Sequence, residues 1–130
     1  MRILLDTHAL LWWLQGDPRI GQAAMDAITD PANDILISVA SLWEIVVKVR
    51  VGKLEADIAE ISEAIDAQGF DTLDIRPYHL AALADLPMHH RDPFDHLLIA
   101  QAICENLTFL SHDQHVPAYP VVYLPCAASR

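Results

Sequence analysis

Short apolar runs alternate along the chain with longer stretches whose apolar residues recur at helical spacing. Residues 3–5 are a brief apolar run that predicts a buried strand, and residues 7–15 then read as a helix stopped at Gly16. Asp17-Pro18 has the form of an N-cap with proline at the first helical position, predicting a second helix through about residue 28. A loop containing Asp30, Pro31, Asn33 and Asp34 leads to a second strand over 35–37. Ser38 or Ser41 caps the next helix, which runs to about Val51 before Gly52, and Ser41 and Glu44 have capping-box spacing. A helix over about 57–68 ends at Gly69, alternation over 70–75 predicts a strand, and 77–86 a short helix. His89, His90 and Arg91 form a polar loop ahead of Asp92-Pro93, which starts a helix through Glu105 with Asn106 as its stop. Strands over 107–110 and 121–124 complete the series.

This alternation of strand and helix predicts an α/β fold, a three-layer α/β/α sandwich with a central, mainly parallel sheet. A chain of 130 residues that is 53 % apolar can bury one core without disulfides or structural metals, and no repeat or linker divides it, so one domain over 1–130 is expected. No apolar run approaches the ~20 residues that cross a bilayer. Arg2 is followed by only three apolar residues before Asp6, which does not read as a secretory leader, so a cytoplasmic location with no membrane partner is the expectation. Cys104 and Cys126 fit neither a disulfide framework nor a zinc-ligand spacing and are read as structural.

Eighteen acidic against eight basic side chains give a net charge of -10, the wrong sign for gripping nucleic acid over a broad surface. Any contact with RNA or DNA must then be local, and some of the acids are candidates for a cation site. In parallel α/β sheets ligands bind beyond the carboxyl ends of the strands, so the acids at those ends are the ones to inspect. Asp6 follows the first strand directly and Asp113 follows the 107–110 strand; a helix cap and a turn former are their alternative roles. Asp95 shares a helix face with Leu98, Ile99 and Ala102, where an unpaired charge needs a cation, hydrogen bonds or a shifted pKa. Glu44 lies in an apolar helical segment and could instead complete a capping box or pair with Lys48. Asp92, immediately before Pro93, is best explained as an N-cap. A cluster of such like charges would repel itself, whereas Mg²⁺ or Mn²⁺ takes hard oxygen ligands.

The motifs Leu-Leu-Asp-Thr-His at 4–8, Ser-Val-Ala-Ser-Leu-Trp-Glu at 38–44, Arg-Asp-Pro-Phe-Asp-His-Leu-Leu-Ile-Ala-Gln-Ala at 91–102 and Leu-Ser-His-Asp at 110–113 resemble those of PIN-domain ribonucleases. More narrowly they resemble the VapC-type toxins of bacterial type II toxin-antitoxin modules. The resemblance implies an acidic quartet of Asp6, Glu44, Asp95 and Asp113 that is both catalytic and metal-binding, with Asp92 and Ser111 as secondary candidates. It implies Mg²⁺, with Mn²⁺ as a substitute, and a hydrolase that cuts RNA phosphodiesters endonucleolytically. A cognate antitoxin and a homodimer are the implied protein partners. One departure is His96, where relatives often carry arginine.

Hydrolysis of RNA needs an activated water and stabilised charge on the phosphate, which bound divalent ions supply. On this reading Asp6, Asp95 and Asp113 anchor the principal ion, and Glu44 reaches it through water or completes a weaker second site. Among seven histidines, His8, His96 and His112 lie within two residues of a proposed ligand and are candidate proton shuttles or substrate contacts. Lys48, Arg50, Lys53 and Arg91 are candidate phosphate contacts, the first three also readable as a solvated helix face. Trp12, Trp13 and Trp43 are read as packing residues. Two alternatives stand beside the nuclease: a catalytically silent PIN-fold binding module, and a haloacid-dehalogenase-like phosphatase, which His8 disfavours because that chemistry needs a second acid there.

Overall fold

The structure is a computed structural model and describes residues 1–127. Five parallel strands form one sheet in the order β3-β2-β1-β4-β5: β1 is Arg2–Leu5, β2 Asp34–Ser38, β3 Asp71–Leu73, β4 Thr108–Ser111 and β5 Tyr123–Pro125. The helices are α1 (Thr7–Gln15), α2 (Gln22–Thr29), α3 (Val39–Arg50), α4 (Ile58–Ala67), α5 (Pro77–Ala84) and α6 (Pro93–Cys104). No helix among the described residues is long and apolar enough to cross a membrane.

Because side chains alternate across a strand, the short apolar runs supply both faces of the sheet. Ile3, Leu5, Ile35, Ile37 and Leu110 face a core closed by α1, α2 and α4 together with Ile45 of α3. Leu4, Leu36 and Phe109 face the opposite way, against Leu97, Leu98 and Ala102 of α6. Leu4 is paired with Leu36 on one side and Phe109 on the other, so the central strand is covered on both faces by matched rows. The three-layer expectation is met.

Boundaries differ from the sequence reading where a side chain found a different partner. Asp17-Pro18 does not start a helix: the Asp17 carboxylate is taken by the backbone N–H of Arg19 at 2.9 Å and by its guanidinium at 2.7 Å. Ile20 then forms an antiparallel bridge with Ala127, and α2 begins only at Gln22. Ser38 rather than Ser41 caps α3, its Oγ accepting from the Ala40 N–H at 3.0 Å, so the Ser41 and Glu44 capping box does not form. The strand expected over 70–75 is only three residues long, and β5 lies two residues later than expected. A 3₁₀ turn over Val116–Ala118, which the sequence reading did not foresee, packs Val116 into the second core.

Candidate metal-binding site

The strand order reverses direction at β1 and β4, and the carboxyl ends of these two neighbouring strands carry Asp6 and the segment from Ser111 to Asp113. Such a switch point leaves a crevice between diverging connections, which is where α/β sheets bind ligands. The Asp6 N–H donates to the Leu110 carbonyl at 2.9 Å, tying the two strand ends together. Ser111 completes the link: its buried hydroxyl donates to Asp6 Oδ2 at 2.7 Å and accepts from the Asp113 N–H at 3.0 Å.

Each predicted acid has a distinct set of partners. Asp6 caps α1, with Oδ1 accepting from the Ala9 N–H at 2.7 Å while Oδ2 also accepts from the His112 N–H at 3.1 Å. Since a carboxylate offers about four lone pairs, these bonds and the Ser111 hydroxyl fix Asp6 firmly and leave one lone pair on Oδ1 for a cation. Glu44 is 2 % exposed; its Oε1 accepts from the Thr7 hydroxyl at 2.6 Å and its Oε2 from Lys48 Nζ at 2.6 Å. The alternative roles weighed from sequence, the cap for Asp6 and the Lys48 pair for Glu44, are therefore both present. Asp113 Oδ1 accepts from the His115 N–H at 2.8 Å, leaving Oδ2 facing the cleft at 3.6 Å from His90 Nε2.

Asp95 is different. It is 8 % exposed, and among the described residues its carboxyl has no hydrogen-bond partner. Burial, and then the charges of Asp92, Asp6, Glu44 and Asp113, push it up to about 9. Asp95 thus lies in electrostatic reach of the other three predicted acids. The donor atoms of Asp95, Asp113 and His90 lie within 4.8 Å of one another, a spread that ligands at about 2.0 to 2.5 Å from one ion can have. The residues fit a divalent cation: an unpartnered buried carboxyl, a free Asp113 oxygen and surplus negative charge are what a hard ion neutralises. His90 is a different kind of participant. Its Nδ1 accepts from the Asp92 N–H at 3.1 Å, so in the neutral ring the proton sits on Nε2 and faces Asp113 as a donor.

The secondary candidates divide. Asp92 is the N-cap of α6, its Oδ1 accepting from the N–H groups of Phe94 at 2.9 Å and Asp95 at 3.1 Å. Ser111 positions Asp6 and Asp113. Of the histidines, His112 lies against Asp6, Nδ1 to Oδ2 at 3.2 Å, and this hydrogen bond raises its pKa against the effect of burial. His8 stacks on His112 at 4.0 Å between ring centroids, and burial followed by the His112 charge lowers its pKa. His96 stacks on His90 at 4.5 Å and is buried. Trp12 is in the core, Trp13 is half-buried with Nε1 donating to Gln68 at 3.1 Å, and exposed Trp43 packs edge-on against Phe94. Thr7 and His90 escaped the sequence reading. Thr7 had a signal, since a hydroxyl directly after Asp6 at the start of a helix beside α3 can reach Glu44; His90 had only its place in a polar loop.

His8, His90, Asp95, His112 and Asp113 line an open cleft of about 520 Å³. A second groove of about 430 Å³ shares His8 and is lined by Arg19, Lys48 and Lys53.

No curated protein sequence matches this chain. Among solved structures, a chain of VapBC2 from Rickettsia felis, bound to a DNA fragment from their promoter, aligns with TM-score 0.72 and 17 % identity, covering 97 % of this chain and 99 % of that one. DNA-bound VapBC from Salmonella typhimurium gives 0.70 and 11 %, with coverage of 96 % and 98 %. FitAcB from Neisseria gonorrhoeae gives 0.65 and 18 %, with coverage of 94 % and 96 %. At such identities the likeness is one of fold. The sequence profile of the PIN domain matches residues 3–121, nearly the whole described chain, and this chain belongs to the PIN-domain family.

Proposed function

We propose that this chain is a metal-dependent endoribonuclease and the toxin of a VapC-type toxin-antitoxin pair, acting in the cytoplasm as one domain over 1–130. The observation that carries the reading is Asp95: a buried carboxyl with no hydrogen-bond partner, surrounded by Asp6, Glu44, Asp92 and Asp113 at a switch point of the sheet. Nothing structural is gained by assembling such a cluster, because each acid raises the cost of ionising the next. A Mg²⁺ or Mn²⁺ ion would remove that cost and supply activation of water and neutralisation of phosphate charge.

The residues have separable roles. Asp95 and the free oxygen of Asp113 have the most lone-pair capacity for an ion, Glu44 has some once Lys48 shifts, and Asp6 organises the ends of β1 and β4 and adds charge. Thr7 holds Glu44 in place and Ser111 holds Asp6. His90 holds its buried Nε2 toward Asp113, 3.6 Å from Oδ2. The likeness to VapBC and FitAcB assemblies supports a cognate antitoxin as the partner, and a homodimer is proposed beside it.

The test is cleavage of total cellular RNA by antitoxin-free protein. Cleavage is expected with Mg²⁺ or Mn²⁺, none with excess chelator, and none by Asp6→Asn or Asp95→Asn variants that retain the fold. Cleavage surviving both substitutions and chelator refutes the proposal.

A further inference from the structure

Three of the chain's eight lysines and arginines, Arg19, Lys48 and Lys53, line a single groove between α1 and the segment after α3. In a chain of net charge -10 this is a local exception, and it adjoins the acidic cleft rather than lying elsewhere. Two residues join the sites physically: His8 lines both, and Lys48 lines the groove while its Nζ sits 2.6 Å from Glu44 Oε2. Arg19 is held in place, its guanidinium 4.7 Å from the Trp12 ring centroid and paired with Asp17 at 2.7 Å. Lys53 is exposed and has no ion-pair partner among the described residues. The groove is also lined by apolar Leu54 and by Gln15, an amide able to both donate and accept.

Arg91 lines the acidic cleft itself, and an anionic strand whose scissile phosphate sits over the carboxylates meets further positive charge where it continues past His8 into this groove. We propose that the groove is the subsite for the nucleotide flanking the cut, with Lys53 and Arg19 on its backbone phosphate and Gln15 and Leu54 on its base. This rests on the nuclease reading of the adjoining cleft. A volume of about 430 Å³ accommodates one nucleotide and not a duplex, and base edges are open to an amide only in an unpaired strand.

The test uses the full chain with Ca²⁺, a labelled octauridylate, the same sequence as a duplex, and an oligoglutamate peptide. Lys53→Ala and Arg19→Ala should each weaken octauridylate binding about fivefold and reduce the slope of log Kd against log salt by about 0.7. Mn²⁺ binding should stay unchanged in both variants and the melting temperature unchanged in Lys53→Ala, and the duplex should bind more weakly than the single strand. If both variants bind octauridylate with wild-type affinity and salt slope while the wild type still cleaves RNA, the groove inference fails and the nuclease reading stands. If the duplex binds as well as the single strand, the one-nucleotide subsite is wrong. If the wild type neither binds nor cleaves RNA, both readings fall; if oligoglutamate alone binds and the variants abolish it, the groove recognises an acidic protein segment instead.

Discussion

Replacing Asp95 with asparagine should destroy activity and, in metal-free protein, increase stability. Asparagine keeps the shape and the unsatisfied polar bulk of a neutral carboxyl, so the difference between the two proteins is ionisation. The folded-state pKa of Asp95 is pushed up to about 9 from an unfolded value of 3.8. Between these values the folded chain retains a proton that the unfolded chain has released, so stability falls as pH rises through that window. At pH 7 the interval traversed is about three pH units, which at about 1.4 kcal/mol per unit is about 4 kcal/mol. Relaxation and water entry reduce this, and about 2 to 4 kcal/mol is expected in favour of Asp95→Asn, a rise of about 8 to 16 °C in Tm for a domain of this size. The gap should shrink to about 0.5 kcal/mol at pH 4, where the unfolded wild type is still partly ionised, and vanish only well below 3.8. Thermal melts in chelator at pH 4, 5.5 and 7 measure it. Added Mn²⁺ should raise the Tm of the wild type and leave that of Asp95→Asn unmoved. A variant less stable than wild type in chelator at pH 7, or a difference independent of pH, refutes the argument that Asp95 is a strained, cation-seeking group.

Thr7→Val removes the hydroxyl that donates to Glu44 at 2.6 Å and lies 3.1 Å from Ser41 Oγ; the Oε1 left without a donor, with only Oε2 still paired to Lys48, should lower stability by about 1 to 3 kcal/mol in urea titration and reduce cleavage. His112→Gln should lose stability at low pH only. The Asp6 hydrogen bond raises the His112 pKa above 6.5, so the stabilisation is complete below that value and disappears as pH rises through the higher folded one; a variant penalty equal at pH 5.5 and pH 9 contradicts this. Asp57→Ala deletes the α4 cap, where Oδ1 accepts from the Ala59 N–H at 2.9 Å, and should cost about 1 kcal/mol in a melt with RNA cleavage unaltered.

How far the sequence could be read depended on the range of the interactions that decide each feature. The buried strands and α6 follow from local pattern: Asp92-Pro93 caps and starts α6, and Asn106, at a positive φ of 56°, ends it as expected. Asp17-Pro18 carried the same local signal and misled, because Arg19 two residues on captured the carboxylate and the bridge from Ile20 to Ala127 holds the segment extended. The choice of Ser38 over Ser41 as cap turned on Gln101, which accepts from the Ser38 hydroxyl 63 residues away. Within the site, the spacing of acids at strand and helix starts pointed to Asp6, Glu44, Asp95 and Asp113. It could not say which of their oxygens are already occupied, since that depends on Thr7, Ser111 and His115 reaching across from other elements.

The bond from Ser111 to Asp6 joins residues 105 positions apart in the chain. β1 is made first yet gains its β4 neighbour, and with it Asp113, only after residues 108–113 have been added. An unfinished chain still on the ribosome therefore carries Asp6 and Glu44 but lacks the far wall of the cleft. On the nuclease reading proposed above, the cleft gains its full set of acids only once residue 113 has been added.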